Sequence, residues 1–195
     1  MQAKSVCVMG AGGRTGQLLS AELLGSCCNV KGVSRSQEGA ARAVLAGIKP
    51  DQSLALDVTA QGAAERLASG PFQGCDAVVV AAASRAQLRV GATLIGALAK
   101  SVQGRAGEIT PVFWFADGQS PRDVDWIGAR VTIDAARAAG VRRVVLISSM
   151  GGCDPDAFMN RTMDRVLDWK RRAEVYLMRS GVPEWTIIHA ARQVK

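Results

Sequence analysis

The chain has 195 residues, 48% of them hydrophobic and 21% charged, with a formal net charge of +7. That length suits one domain around one sizeable core, and no apolar run approaches the ~18 residues needed to span a bilayer, which leaves no candidate transmembrane segment. The excess charge lies mostly on arginines of predicted helices, such as Arg137, Arg165 and Arg172, without interleaved aromatic residues; this argues against a nucleic-acid partner and suits an anionic cofactor.

Short β-branched runs alternate with amphipathic stretches, the pattern of parallel strands joined by helical crossovers. In chain order the expected elements are a strand over 5–9, a helix over 15–24, a strand over 30–34, a helix over 37–46, a strand over 54–58 and a helix over 61–68. A strand over 77–82 comes next, then a Gly- and Ser-rich stretch from Ser84 to Pro121 that reads as a loop excursion, with a weak helical pattern near Leu88–Ala99. The remaining elements are a helix over 122–139 stopped by Gly140, a strand over 143–148, a helix over 165–180 and a strand over 186–189. The expected fold is therefore α/β, a doubly wound parallel sheet of about six strands in the order 3-2-1-4-5-6, a Rossmann fold forming a single domain over 1–195. Five cysteines without metal-ligand spacing predict no metal and a reducing intracellular compartment, and Met1 close before the first strand predicts no leader.

The first strand runs into Gly10-Ala-Gly-Gly13-Arg14-Thr15-Gly16 and then a helix start. Glycines let backbone turn tightly against a diphosphate, and the helix N-terminus offers free N–H groups and positive potential. The second strand ends Val33-Ser34-Arg35, with no carboxylate to receive a ribose 2′-hydroxyl and an arginine placed for a 2′-phosphate, so the expected cofactor is NADP. Asp57 and Val58, closing the third strand, are placed for the adenine, and the small residues Ala81 and Ala82 leave room where the cofactor passes the fourth strand.

The glycine turn, Val33-Ser-Arg35, Leu56-Asp-Val58, Val124-Asp-Trp-Ile-Gly128, the segment from Asp134 to Gly151 and Trp169-Lys-Arg-Arg-Ala-Glu174 together resemble the atypical short-chain dehydrogenase/reductases, NmrA-like group, of plant and algal type. The resemblance implies that Gly10, Gly13, Arg14, Thr15, Gly16, Arg35, Asp57, Val58, Ala82, Ser148 and Lys170 lie along the cofactor, and that Lys170 hydrogen-bonds the nicotinamide ribose. It also makes a chloroplast location an alternative to the cytoplasm. Catalytic members pair a tyrosine with the lysine four residues later, lowering the phenol pKa. Here that position is Val166, and the single tyrosine, Tyr176, falls on another helical face and is expected to pack. Family members also continue past the sixth strand into a segment shaping the substrate pocket, so with the chain ending at Lys195 that portion is expected to be absent.

The remaining catalytic candidates are Ser149, expected to orient a carbonyl, and Lys170; Ser148, Asp154 and the lone His189 are further polar groups nearby. Two functions follow. One is an NADPH-dependent oxidoreductase; the other is a non-catalytic NADP-binding sensor or subunit of a larger assembly, with Trp114, Phe115 and Trp126 as candidate partner contacts.

Overall fold

The computed structural model describes residues 4–102 and 109–190. Strand β1 (Ser5–Met9) and helix α1 (Arg14–Gly25) flank the glycine turn, followed by β2 (Asn29–Ser34), α2 (Gln37–Leu45), β3 (Ser53–Ala55), α3 (Ala63–Ser69) and β4 (Ala77–Val80). Beyond the excursion come a π-helical turn (Arg122–Gly128), α5 (Ala129–Ala138) and β7 (Arg143–Ser149), then α6 (Phe158–Thr162), α7 (Val166–Arg179) and β8 (Glu184–Ala190). The excursion contributes β5 (Gln87–Leu88), α4 (Val90–Val102) and β6 (Phe113–Trp114). The main sheet has six parallel strands ordered β3-β2-β1-β4-β7-β8. This is the doubly wound order expected, with the crossover reversing direction beside β1, where such folds open a crevice at the strand ends.

Both faces of the central strands are buried, which is why those strands read as continuous apolar runs rather than alternating ones. Cys7 and Met9 of β1 join Phe72, Val78, Ile133 and Leu177 in a core under α3, α5 and α7. Val8 of β1 faces the other way, into a smaller core with Val30, Ala43 and Ile48 under α1 and α2. Burial pushes the thiol pKa of Cys7 far up, and neighbouring Cys75 adds to it, so this cysteine packs as an inert apolar group.

Several expected boundaries move. The third strand stops at Ala55 rather than Val58, because the Asp57 carboxylate accepts from the Thr59 backbone N–H (2.9 Å) and hydroxyl (2.7 Å) and turns the chain out of the ladder. The stretch over 84–121 is more than a loop: its Ala- and Leu-rich middle forms α4, tied to the returning chain where Val112 N donates to Thr93 Oγ1 at 3.0 Å. The weak helical pattern expected near Leu88–Ala99 is this helix, running on to Val102. Helix α6 was unforeseen because five residues carry no periodicity; it is held by Asn160, whose Oδ1 accepts from Leu167 N at 2.9 Å. Trp126 is not a surface contact, since its ring packs edge-on against Tyr176 (centroids 5.7 Å apart) at the core margin. Among the described residues no helix is long and apolar enough to cross a membrane, and no cluster of His, Cys, Asp or Glu could hold a metal ion.

Candidate dinucleotide site

The C-terminal ends of β1, β2 and β4 open into a groove of about 980 Å³. Its floor is the glycine turn. Gly10 sits at φ +82°, a left-handed conformation that favours glycine, and a Cβ there would meet the Ala82 Cα at 2.8 Å. Gly10 N and Ala11 N both donate to Val33 O, at 2.7 and 3.1 Å, so the turn hangs from the end of β2. Gly12 is held tightest: its N–H donates to Ser34 Oγ at 2.9 Å, and its carbonyl accepts from Gln17 Nε2 at 3.0 Å and Arg42 Nε at 3.1 Å. A Cβ on Gly12 would lie 2.1 Å from Gly39 O, and one on Gly16 would lie 2.1 Å from Gly10 O. The critical close approaches are thus at Gly10, Gly12 and Gly16, whereas Gly13 is the extended N-cap of α1. Regular spacing drew attention to Gly13, and the adjacent Gly12 was missed for that reason.

Helix α1 starts with neither a capping side chain nor an acidic residue in its first turn, so its early N–H groups remain available to an anion. Arg14, Thr15, Arg35, Arg42 and Arg85 line the groove, with Asp57, Val58, Ala81 and Ala82 further along. Arg35 Nε lies 3.8 Å from Asp57 Oδ2, both side chains being over a third exposed, and such a pair is easily redirected to a ligand. Arg42 was not foreseen; it reaches both Glu38 Oε1 (2.5 Å) and the turn from α2. Ser34 lines the groove and its Oγ holds Gly12.

A small pocket adjoins the groove at Ala82 and is lined by Val80, Asp125, Leu146, Ser148, Lys170 and Ala173 among others. The candidate pair Ser149 and Lys170 does not meet there. Alternation along β7 turns Ser148 toward α7 with Val144 and Leu146, and Ser149 toward the opposite face. Lys170 Nζ is instead 2.6 Å from Oδ1 of Asp125, whose Oδ2 accepts from Ser84 N at 3.1 Å. Asp125 lies on the π-helical turn and was seen in the sequence only as part of Val124-Asp-Trp-Ile-Gly128. Lys170 is 14% exposed and Asp125 1%, so Asp125→Ala leaves a largely buried ammonium unpaired. Breaking such a pair costs about 3 kcal/mol, which predicts a melting temperature lower by roughly 6–12 °C in a thermal scan.

Val166, in the place a catalytic tyrosine would take, is buried. The Tyr176 hydroxyl donates to Asp134 Oδ1 at 2.7 Å, so this phenol serves packing, and burial together with Asp134 raises its pKa further. Above the pocket, buried Glu174 gathers three donors: Ser148 Oγ (2.5 Å) and His189 Nε2 (2.9 Å) on Oε1, and Arg171 (2.7 Å) on Oε2. Burial pushes its carboxyl upward, but the bonds from Ser148, Arg171 and His189 outweigh that and hold it below the usual range.

A doubly wound sheet whose first turn is a glycine cradle at an uncapped helix start is a dinucleotide-binding Rossmann domain. Residues 10–193 match the NAD(P)H-binding family model, and the chain belongs to that family. It is 53% identical over 81 residues to a sanguinarine reductase of Eschscholzia californica, covering 41% of this chain and 29% of that protein. It is 36% identical over 190 residues to a chloroplastic protein of Arabidopsis thaliana, covering 95% of this chain and 52% of that one. The chain thus spans about half or less of the length of these relatives. The fold is shared with an NADPH-dependent quinone oxidoreductase of Escherichia coli solved with NADPH, at a TM-score of 0.55 and 18% identity over 94% of this chain and 48% of that one.

Proposed function

We propose that the chain binds NADPH in this groove and acts as a reductase toward a conjugated carbonyl or quinone. The observation that carries the reading is the tip of β2: Ser34-Arg35-Ser36, without a carboxylate at the strand's end and with Arg14 and Arg42 on the same groove, suits a 2′-phosphate. The turn suits the cofactor in shape as well, because at Gly10, Gly12 and Gly16 a Cβ would strike neighbouring main chain, so only glycine lets the backbone close into a tight turn at the uncapped start of α1. Gly13, Thr15 and the α1 start would hold the diphosphate, Asp57 and Val58 the adenine, and Lys170 the nicotinamide ribose. Bound NADPH would supply the hydride. The protein's contribution is to place the acceptor over the ends of β4 and β7, between Lys170 and Ser148. The names of a reductase relative and of the NADPH-bound quinone oxidoreductase support this reading.

A second reading, an NADPH-binding subunit without turnover, is favoured by Val166 and by the exposed Leu94, Ile95 and Leu98 of α4; the chloroplastic name of the Arabidopsis relative supports a chloroplast location. Both readings expect NADPH at about a hundred times its Kd to stabilise the fold by about 2.7 kcal/mol, hence a rise of roughly 5–10 °C in melting temperature. Only the reductase consumes NADPH, followed by its absorbance, when a quinone is added. Absence of any stabilisation by NADPH overturns both.

A further inference from the structure

Val166 deprives the pocket of a phenol, so a carbonyl or quinone oxygen must take its proton from another group. Three polar side chains line the pocket: Asp125, Lys170 and Ser148. Lys170 is a poor donor, since losing its proton strands the buried Asp125 carboxylate that it neutralises. Ser148 is connected. Its hydroxyl rests on Glu174 Oε1, and the same oxygen receives Nε2 of His189, whose side chain is 50% exposed at the end of β8. Arg171 occupies the other carboxylate oxygen and fixes the plane of the group. The three residues form a continuous hydrogen-bonded line from solvent to the pocket wall.

Resting on the reductase reading above, we propose that Ser148, Glu174 and His189 are a proton relay that replaces the missing tyrosine. As the acceptor takes up hydride, its oxygen receives the Ser148 hydroxyl proton. Ser148 Oγ is reprotonated from Glu174 Oε1, which in turn receives the Nε2 proton of the His189 imidazolium, and water recharges the ring. The balance is one hydride from the reduced dinucleotide and one proton from solvent; the acceptor is reduced to an alcohol or hydroquinone and the dinucleotide is oxidised. Because both bonds fall on Oε1, a proton arriving from His189 leaves toward Ser148 without rotation of the carboxylate. Glu174 stays ionised at rest, so it conducts the proton and does not store it. Ser148 is the catalytic residue of the line; Glu174 and His189 act through it.

His189 is the single histidine of the chain, so its ring can be observed alone. Two variants test the relay. His189→Gln keeps an N–H donor toward Glu174 but cannot titrate; Glu174→Gln keeps the shape and removes the carboxylate. In ¹⁵N-histidine NMR of the cofactor-free protein, the Nε2–H hydrogen-bond signature should be present in the parent and weakened in Glu174→Gln, whose neutral amide oxygen is a poorer acceptor. With NADPH and menadione, the parent rate should fall as pH rises, because the proton of the line comes from the His189 imidazolium. The charged groups within bonding reach of the ring among the described residues are Glu174 and, beyond it, Arg171, both on α7. His189→Gln should lower kcat roughly a hundredfold, flatten that pH profile, and leave the KM for NADPH unchanged. A parent that turns over while His189→Gln keeps its rate and pH profile, or an Nε2 signature indifferent to Glu174→Gln, overturns the relay. A folded parent that binds NADPH but reduces no carbonyl or quinone overturns the reductase reading instead, and the relay with it.

Discussion

Gly12→Ala is expected to unmake the site and weaken the fold together. The added Cβ would sit 2.1 Å from Gly39 O and 2.6–2.7 Å from the Gly39 carbonyl carbon and Cα, all of them backbone atoms with no rotamer to yield. Relief requires α2 to move off the glycine turn. That movement breaks the bonds that converge on Gly12 from Ser34, Gln17 and Arg42. Overpacking of this kind costs about 1–3 kcal/mol, and each lost hydrogen bond adds about 1 kcal/mol. The melting temperature should fall by roughly 8–24 °C. At temperatures where the variant is still folded, NADPH affinity by calorimetry should drop at least about tenfold, since the shifted turn is the surface offered to the diphosphate. Gly13→Ala is the control. Its Cβ meets only Gly10 O at 3.2 Å, and φ there is an ordinary −79°. Equal effects from both substitutions would mean that α2 does not press on the turn.

The contrast between those neighbouring glycines shows where sequence reading succeeds and where it stops. The strand order was legible because each central strand is apolar on both faces and each crossover is amphipathic, a local signal that fixes long-range pairing through a chirality rule. The location of the turn was legible for the same reason. Which glycines are indispensable was not, because the constraint on Gly12 comes from Gly39, distant in sequence and on another helix. Asp125 was likewise invisible as a partner for Lys170, and Glu174 as a hub for Ser148, Arg171 and His189, since neither pairing has a sequence period. The serine pair shows the opposite limit. Period two along β7 separates Ser148 from Ser149, and the helix that defines which face matters is seen only in the folded chain.

Arg35→Glu should reverse cofactor preference with little change in stability. The Arg35 side chain is 44% exposed and its only ion-pair partner among the described residues, Asp57, is 3.8 Å away, so the fold gains little from it. A guanidinium bound to a phosphate dianion is a different matter, because charge-assisted bonds contribute about 1.5–3 kcal/mol and the substituted carboxylate adds repulsion. NADPH affinity is therefore expected to fall about 10- to 100-fold or more. NADH carries a 2′-hydroxyl in the same place, which a carboxylate at the end of β2 can accept, so its affinity should hold or rise. Arg42→Ala is a poor substitute for this test, as it also removes the bond to Gly12 O and would weaken both dinucleotides through the turn. Only the ratio of the two affinities isolates the 2′-phosphate. If Arg35→Glu weakens NADPH and NADH alike, the arginine bears on the shared adenosine or diphosphate, and the assignment of NADPH over NADH fails.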